Sequence, residues 1–282
     1  MAGKNLTGQA NTADYNLGRG KVYFAGIDPS TGLPDASGYR FLGNAPEFNI
    51  SVEVETLEHQ SSQEGLKTVD KEVVISQKVN LALTLDELNF ENVALFFSGE
   101  TGTHTNAAKS TQDAEILTTS AVLGRWYDLA DNDGNRLYDI DDTKLTVEED
   151  PLGTPTPLVK DTDFTLDAKM GRIFLLTTAT NVAGGDTVGF DYTADATAKD
   201  VDEVKALTQT NVAGALKFVS ENPSDGDHQS EYQFHQVSLK ADGDFSLIGD
   251  EFTTMGLTGV AERNVLADPD SPTLTIRTHA DA

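Results

Sequence analysis

Phe48-Asn-Ile-Ser-Val-Glu-Val-Glu-Thr-Leu57 alternates between apolar and polar residues over its whole length. Side chains in a strand point to opposite faces with a period of two. Phe48, Ile50, Val52 and Val54 therefore share one face, and Glu47, Asn49, Ser51, Glu53 and Glu55 share the other. A second run holds one parity through Val73, Ile75, Val79, Leu81, Leu83 and Leu85, broken only at Gln77, with Lys78 on its polar face. Strands in globular proteins usually run to ~5–6 residues, so this pair predicts a two-stranded extension standing out from the body. The segment between them, His59 to Lys71, holds Ser61, Ser62, Gly65 and two lysines. It reads as a polar loop too long for a tight hairpin turn, and long loops of this kind are usually functional.

After the second run the period changes. Thr84-Leu-Asp-Glu87 has the form of a capping box, and Leu88, Val93, Phe96 and Phe97 follow with the spacing of one apolar helix stripe. Gly99 is a suitable C-terminal stop. So short a helix is marginal in water by itself, so Phe96 and Phe97 are expected to be buried against a sheet.

Several pieces then fall into a known order. Leu17-Gly-Arg-Gly-Lys-Val-Tyr-Phe24 opens a strand, and Phe41-Leu-Gly-Asn44 precedes the long alternating run. Glu58-His-Gln-Ser-Ser-Gln-Glu-Gly65 lies in the loop, Asp86-Glu-Leu88 leads into the helix, and Val237 to Phe252 comes near the end. Together they resemble the bacteriophage tail tube (major tail) protein family, over Leu17–Gly99 and Ala206–Asn264. The resemblance implies a mainly β fold, a tail-tube-type β-sandwich or barrel with one short α-helix and a long central hairpin. It also implies a structural virion subunit that forms hexameric rings, stacked into a tube whose lumen conducts DNA during ejection. The implied partners are further copies of the chain and the tape measure, terminator and baseplate or tip proteins of a tail. DNA would pass through without specific binding, and no membrane would be engaged. The chain would be made in the host cytoplasm and located in the virion tail.

On that resemblance the loop residues Glu58, His59, Gln60, Ser61, Ser62, Gln63, Glu64, Gly65, Leu66, Lys67 and Asp70 are expected to make contacts between rings or subunits. Glu47, Asn49, Ser51, Glu53, Glu55 and Lys78 are the residues expected to face the lumen.

Charge narrows the function classes. Against 46 acidic residues stand only 20 basic ones, a net charge of −26. Phosphate binding needs concentrated Lys and Arg, and no basic cluster is present, so direct nucleic-acid recognition is not expected. Such acidity serves solubility, or a surface that must not adhere to DNA. With no cysteine, disulfides and thiolate metal sites are excluded. No apolar run follows the first residues as in a signal peptide, and Val93–Phe97 is too short to span a bilayer. A soluble protein made in a cytoplasm is the expectation.

Taken in order, residues 1–16 read as a flexible arm and residues 17–100 as the first part of the core. Strands are expected at Lys21–Ile27 and Tyr39–Leu42. Residues 101–204 read as an inserted all-β module displayed outside the tube, bounded by linker-like segments Glu100–Thr111 and Thr193–Asp202. Inside it strands are expected at Glu115–Thr119, Val122–Leu129, Arg136–Ile140, Thr143–Glu148, within Phe164–Leu176, and at Val188–Tyr192. Residues 205–265 resume the core through Ala206–Ser220, Glu231–Lys240, Phe245–Ile248 and Thr254–Glu262. Residues 266–282 form a tail with an edge strand at Leu274–Arg277.

Catalytic patterns are not found. His59, His104, His228, His235 and His279 are dispersed, without ligand spacing. Asp131, Asp133 and Asn135 are the best metal candidates by oxygen content, but they lack the EF-hand order and fit a hairpin turn. Neither glycine pair, Gly18 with Gly20 nor Gly184 with Gly185, has the surroundings of a phosphate loop. No enzyme and no cofactor are expected. Two alternatives stand beside the tail tube: a tube subunit of a contractile injection or secretion machine, and a monomeric β-sandwich adhesin or decoration protein.

Overall fold

A computed structural model of the chain describes residues 17–62, 65–106, 115–131, 133–193, 200–221 and 229–279. The expected arm at 1–16, the loop residues Gln63 and Glu64, and His228 lie outside the described residues. The fold is mainly β. The chain begins with β1 (Gly20–Gly26), β2 (Arg40–Phe41), β3 (Glu47–Ser61), β4 (Thr68–Leu85), the helix α1 (Phe90–Phe96) and β5 (Glu100–Thr105). It continues through β6 (Glu115–Thr118), β7 (Arg125–Asp128), β8 (Leu145–Glu149), β9 (Thr156–Pro157), β10 (Phe164–Asp167), β11 (Arg172–Leu175) and β12 (Val188–Tyr192). The last strands are β13 (Asp200–Lys205), β14 (Val212–Ser220), β15 (Gln229–Asp242), β16 (Met255–Ala261) and β17 (Leu274–His279).

Two compact units divide the chain, Met1–Thr101 with Val204–Ala282, and Gly102–Glu203. In the first, strands run in the order β2-β1-β14-β15-β16-β4-β3, and β17 pairs with β15 beside β16. Every one of these pairings is antiparallel. The sheet bends over on itself. From β14 to β3 is four strand spacings, ~19 Å if the sheet were flat, yet the rings of Phe48 and Phe218 lie 5.6 Å apart. Phe48 also meets Phe234 edge-on at 6.3 Å. Val22, Leu42, Leu81, Leu83, Leu85, Leu216, Phe234, Val237 and Leu257 fill the resulting core.

The helix packs on β15 and β16, with Phe96 buried, but it does not start where the capping box predicts. Thr84 and Leu85 belong to β4, where Leu85 pairs with Met255. Asn89 is the N-cap, and its side chain accepts from the Asn92 N–H at 2.8 Å. Burying Leu85 in the sheet outweighs a cap that Asn89 supplies five residues later. Fully buried Asn92 ties the helix to its surroundings, donating to the carbonyls of Leu42 and Glu87 and accepting from Arg40. The left-handed residue ending the helix is Ser98, with φ 47°. Gly99 is needed for another reason: a Cβ there would sit 2.6 Å from the Lys205 carbonyl oxygen.

Four further expectations are corrected. The segments expected as linkers contain β5 and the start of β13, which pair with each other in a two-stranded sheet; backbone hydrogen bonds hold such polar strands without an apolar side to signal them. Residues Arg136–Ile140 form no strand, only a bridge from Arg136 to Ala130. Asp142–Lys144 is a single 3-10 turn ahead of β8. Phe245–Ile248 is loop, because Phe245 turns inward between Phe96 and Phe97, at 5.5 and 5.4 Å.

The second unit has its own core between a four-stranded sheet, β6-β12-β8-β9, and a three-stranded one, β10-β11-β7. Val147, Val188 and Phe190 from the first sheet cluster with Phe164, Ile173 and Leu175 from the second. One buried carboxylate organises its loops. Asp163 is wholly buried and accepts from the backbone N–H groups of Val159, Thr180 and Asn181 and from the Asn181 side chain. Burial pushes its carboxyl up, but these hydrogen bonds outweigh burial and hold the pKa at about 2. An unfolded Asp titrates near ~3.9. The stabilisation is therefore complete above that pH and is lost as pH falls through the folded value. Asp163→Asn should destabilise this unit by roughly 2–3 kcal/mol near neutral pH, where an amide replaces a charged acceptor. Denaturant titrations should show the gap between the two proteins closing between pH 4 and pH 2.

Candidate assembly surface

The long hairpin is built from two strands that pair along their whole length, from Glu47 opposite Thr84 to Ser61 opposite Thr68. Glu58, His59, Gln60 and Ser61 are thus strand residues, and so is Asp70. The connection is only residues 62–67, and the loop predicted from His59 to Lys71 is shorter by the ends of both strands. His59, opposite Lys71, contacts the Asp70 carboxylate through its Nδ1. At the tip Gly65 is exposed, and Leu66 is 79% exposed.

Directly opposite residues in an antiparallel pair share a face, so the register fixes what each side of the hairpin presents. Glu47, Asn49, Ser51, Glu53 and Glu55 lie on one face, and Lys78 joins them opposite Glu53. Asn49 donates to Glu47 at 2.6 Å, and Asn80 donates to Glu53 at 3.4 Å. The other face carries Phe48 opposite Leu83, Ile50 opposite Leu81, Val52 opposite Val79, and Val54 opposite Gln77. A bulge then falls between Glu55 and Thr56, leaving Ile75 unpaired. It breaks the parity read from the sequence: Val73 turns to the polar face with Leu57, while Val74 joins the apolar face opposite Thr56.

Exposure changes along this apolar face. Phe48 packs against the core, and Leu81 and Leu83 are buried within it. Farther out, Val52 is 66% exposed, Val54 48% and Val74 51%. The row of apolar side chains that makes the core therefore runs on past the body, and nothing in the described residues covers it. Edges are open as well: β3 ends the sheet order, and β16 pairs only with Val79–Leu85 of β4.

A second exposed apolar feature escaped the sequence reading. The loop between β15 and β16 presents Leu247, Ile248 and Phe252, at 83, 96 and 97% exposure. Short apolar runs read as buried strand; the signal against it was the enclosing Gly243, Gly249 and Asp250.

Other predicted groups are not brought together. The Asp131 carboxylate accepts from the backbone N–H groups of Asp133 and Asn135 and from the Asn135 side chain, the pattern of a turn. Among the described residues no three acidic or histidine side chains cluster to hold a metal. His104 contacts the Arg136 carbonyl, and His235 is buried beside Thr275. Burial lowers the His235 pKa, a shift opposed by Asp268 nearby. His235 lines a cavity of about 110 Å³ with Tyr39, Asp268 and Arg277, well below the ~300 Å³ at which small-molecule sites begin. No helix among the described residues is long and apolar enough to cross a membrane.

Comparison with curated proteins finds no match. Residues 15–275 match the model of a family described as protein of unknown function UCP028589. That match runs through both units and includes the whole hairpin and the loop after β15, so the chain belongs to the family of unknown function UCP028589.

Proposed function

We propose that the chain is a structural subunit that assembles with copies of itself, and that the assembly is the tail tube of a bacteriophage. One observation carries this reading: an apolar sheet face continues from the core along a projecting hairpin and is left bare. Fully burying a wholly exposed Val side chain is worth about 1.5–3 kcal/mol; Val52, Val54 and Val74 are about half exposed, so covering all three recovers roughly 2–5 kcal/mol, a drive to associate. A monomeric adhesin or decoration protein would leave that face in water. The resemblance over Leu17–Gly99 and Ala206–Asn264 supplies the kind of assembly, stacked rings around a DNA-conducting lumen.

The opposite face suits a channel wall. Glu47, Glu53 and Glu55 would repel passing phosphate, and Lys78 offsets only one of them. Screening limits that repulsion to ~8 Å at physiological salt. It acts as close-range lubrication and not as propulsion. The acidity also opposes assembly, since each copy brings a charge of −26 to its neighbours.

Negative-stain microscopy and sedimentation of the purified protein across protein and salt concentrations test the reading. Rings or rods are expected, forming at lower protein concentration as salt screens the repulsion. Small monomeric particles under every condition would overturn it. For the channel face, Glu53→Lys combined with Glu55→Lys should give assembled tails that eject DNA slowly and recover in part at high salt. Normal ejection from such particles would remove this face from the lumen.

A further inference from the structure

The two exposed apolar features described above are separated along one strand of the first unit. Leu85, the last residue of β4, pairs with Met255, the residue that follows the loop carrying Leu247, Ile248 and Phe252. Thr68, its first residue, adjoins the hairpin tip. The stripe's β4 residues, Val74 to Val79, lie 6 to 11 residues from Leu85 (85−79 and 85−74), roughly 20–36 Å along the strand at ~3.3 Å per residue. The loop is a built knob. Its base is held by Phe245 between Phe96 and Phe97, and Thr253 donates its hydroxyl hydrogen to the Ser246 carbonyl at 2.8 Å. Its apex is apolar, flanked by Asp244, Asp250 and Glu251.

We infer that the knob of one copy docks on the bare apolar stripe of the next copy's hairpin, a head-to-tail contact that rests on the self-assembly reading above. Charge selects the pairing. Two knobs meeting each other would bring six carboxylates together. The stripe carries none: Ile50, Val52, Val54 and Thr56 on β3, facing Val79, Gln77 and Val74 on β4, are all uncharged, and charge returns only where Glu58 opposes Glu72. Two stripes meeting would leave both knobs in water, whereas knob on stripe covers both features at once. A contact between two different patches, repeated from copy to copy, is heterologous and builds a ring or an open stack.

The absence of cysteine makes the contact directly testable. Ile248→Cys is mixed with Val52→Cys, Val54→Cys or Ile75→Cys under assembly conditions and mildly oxidised. The expected result is a mixed disulfide with at least one hairpin variant, and none with a Leu152→Cys control, exposed in the second unit. Separately, the triple variant Leu247→Ser, Ile248→Ser and Phe252→Ser should stay folded, because all three side chains already lie in solvent. It should need about tenfold more protein to assemble. If Ile248→Cys couples only with itself, or the triple variant assembles like the parent, the docking is wrong while self-assembly stands. If the parent chain never assembles, both fail.

Discussion

An apolar sheet face has to be covered, and in this chain the core row outlasts its cover. Up to Phe48 the row is sealed by Phe218 and Phe234 from strands that fold back across the sheet. Beyond Ile50 the same row faces water. An isolated two-stranded hairpin is marginal, so the outer halves of β3 and β4 lean on the inner halves, which β16 and the core anchor. Order in the distal hairpin and occupancy of its apolar face are thereby coupled. Whatever covers the stripe also rigidifies the strands that present it.

Strand alternation between Phe48 and Leu57 and between Val79 and Leu85 was legible because one side of each is apolar. Its continuation was not. Glu58, His59, Gln60 and Ser61 are polar on both sides, and a strand without an apolar side has no period to read. For the same reason β5 and β13 look like linkers. The helix was visible in its apolar stripe but misplaced at its start, since a capping pattern does not reveal that Leu85 has a buried place in the sheet.

Asp163 illustrates a different limit. Its donors come from residues 159, 180 and 181, and only the folded second unit brings them to one carboxylate. The candidate surface divides in the same way. The polar face of β3 could be listed from parity alone, whereas Lys78 opposite Glu53 and the reversal of Val73 follow from register and from one bulge. The knob was misread because Leu247 and Ile248 are apolar, and apolar residues are ordinarily assigned to a core. Their exposure is visible only once Phe245 is seen to take the inward position.

A long open strand edge beside an apolar face ordinarily invites indiscriminate pairing. Here the two properties are separated by chemistry. Along β3, glutamates at 53, 55 and 58 set negative charge beside the bare edge, so a second β3 approaching edge-on meets like charge at these positions. The stretch of Ile50, Val52, Val54 and Val74, in contrast, is free of charge. Addition through the edge is disfavoured while docking through the face remains open. In the assembly proposed above, each copy's net charge of −26 opposes the encounter, and burial of the stripe is the contribution that would offset it. On that proposal the charged edge would select against strand addition and leave the uncharged face as the surface through which copies meet.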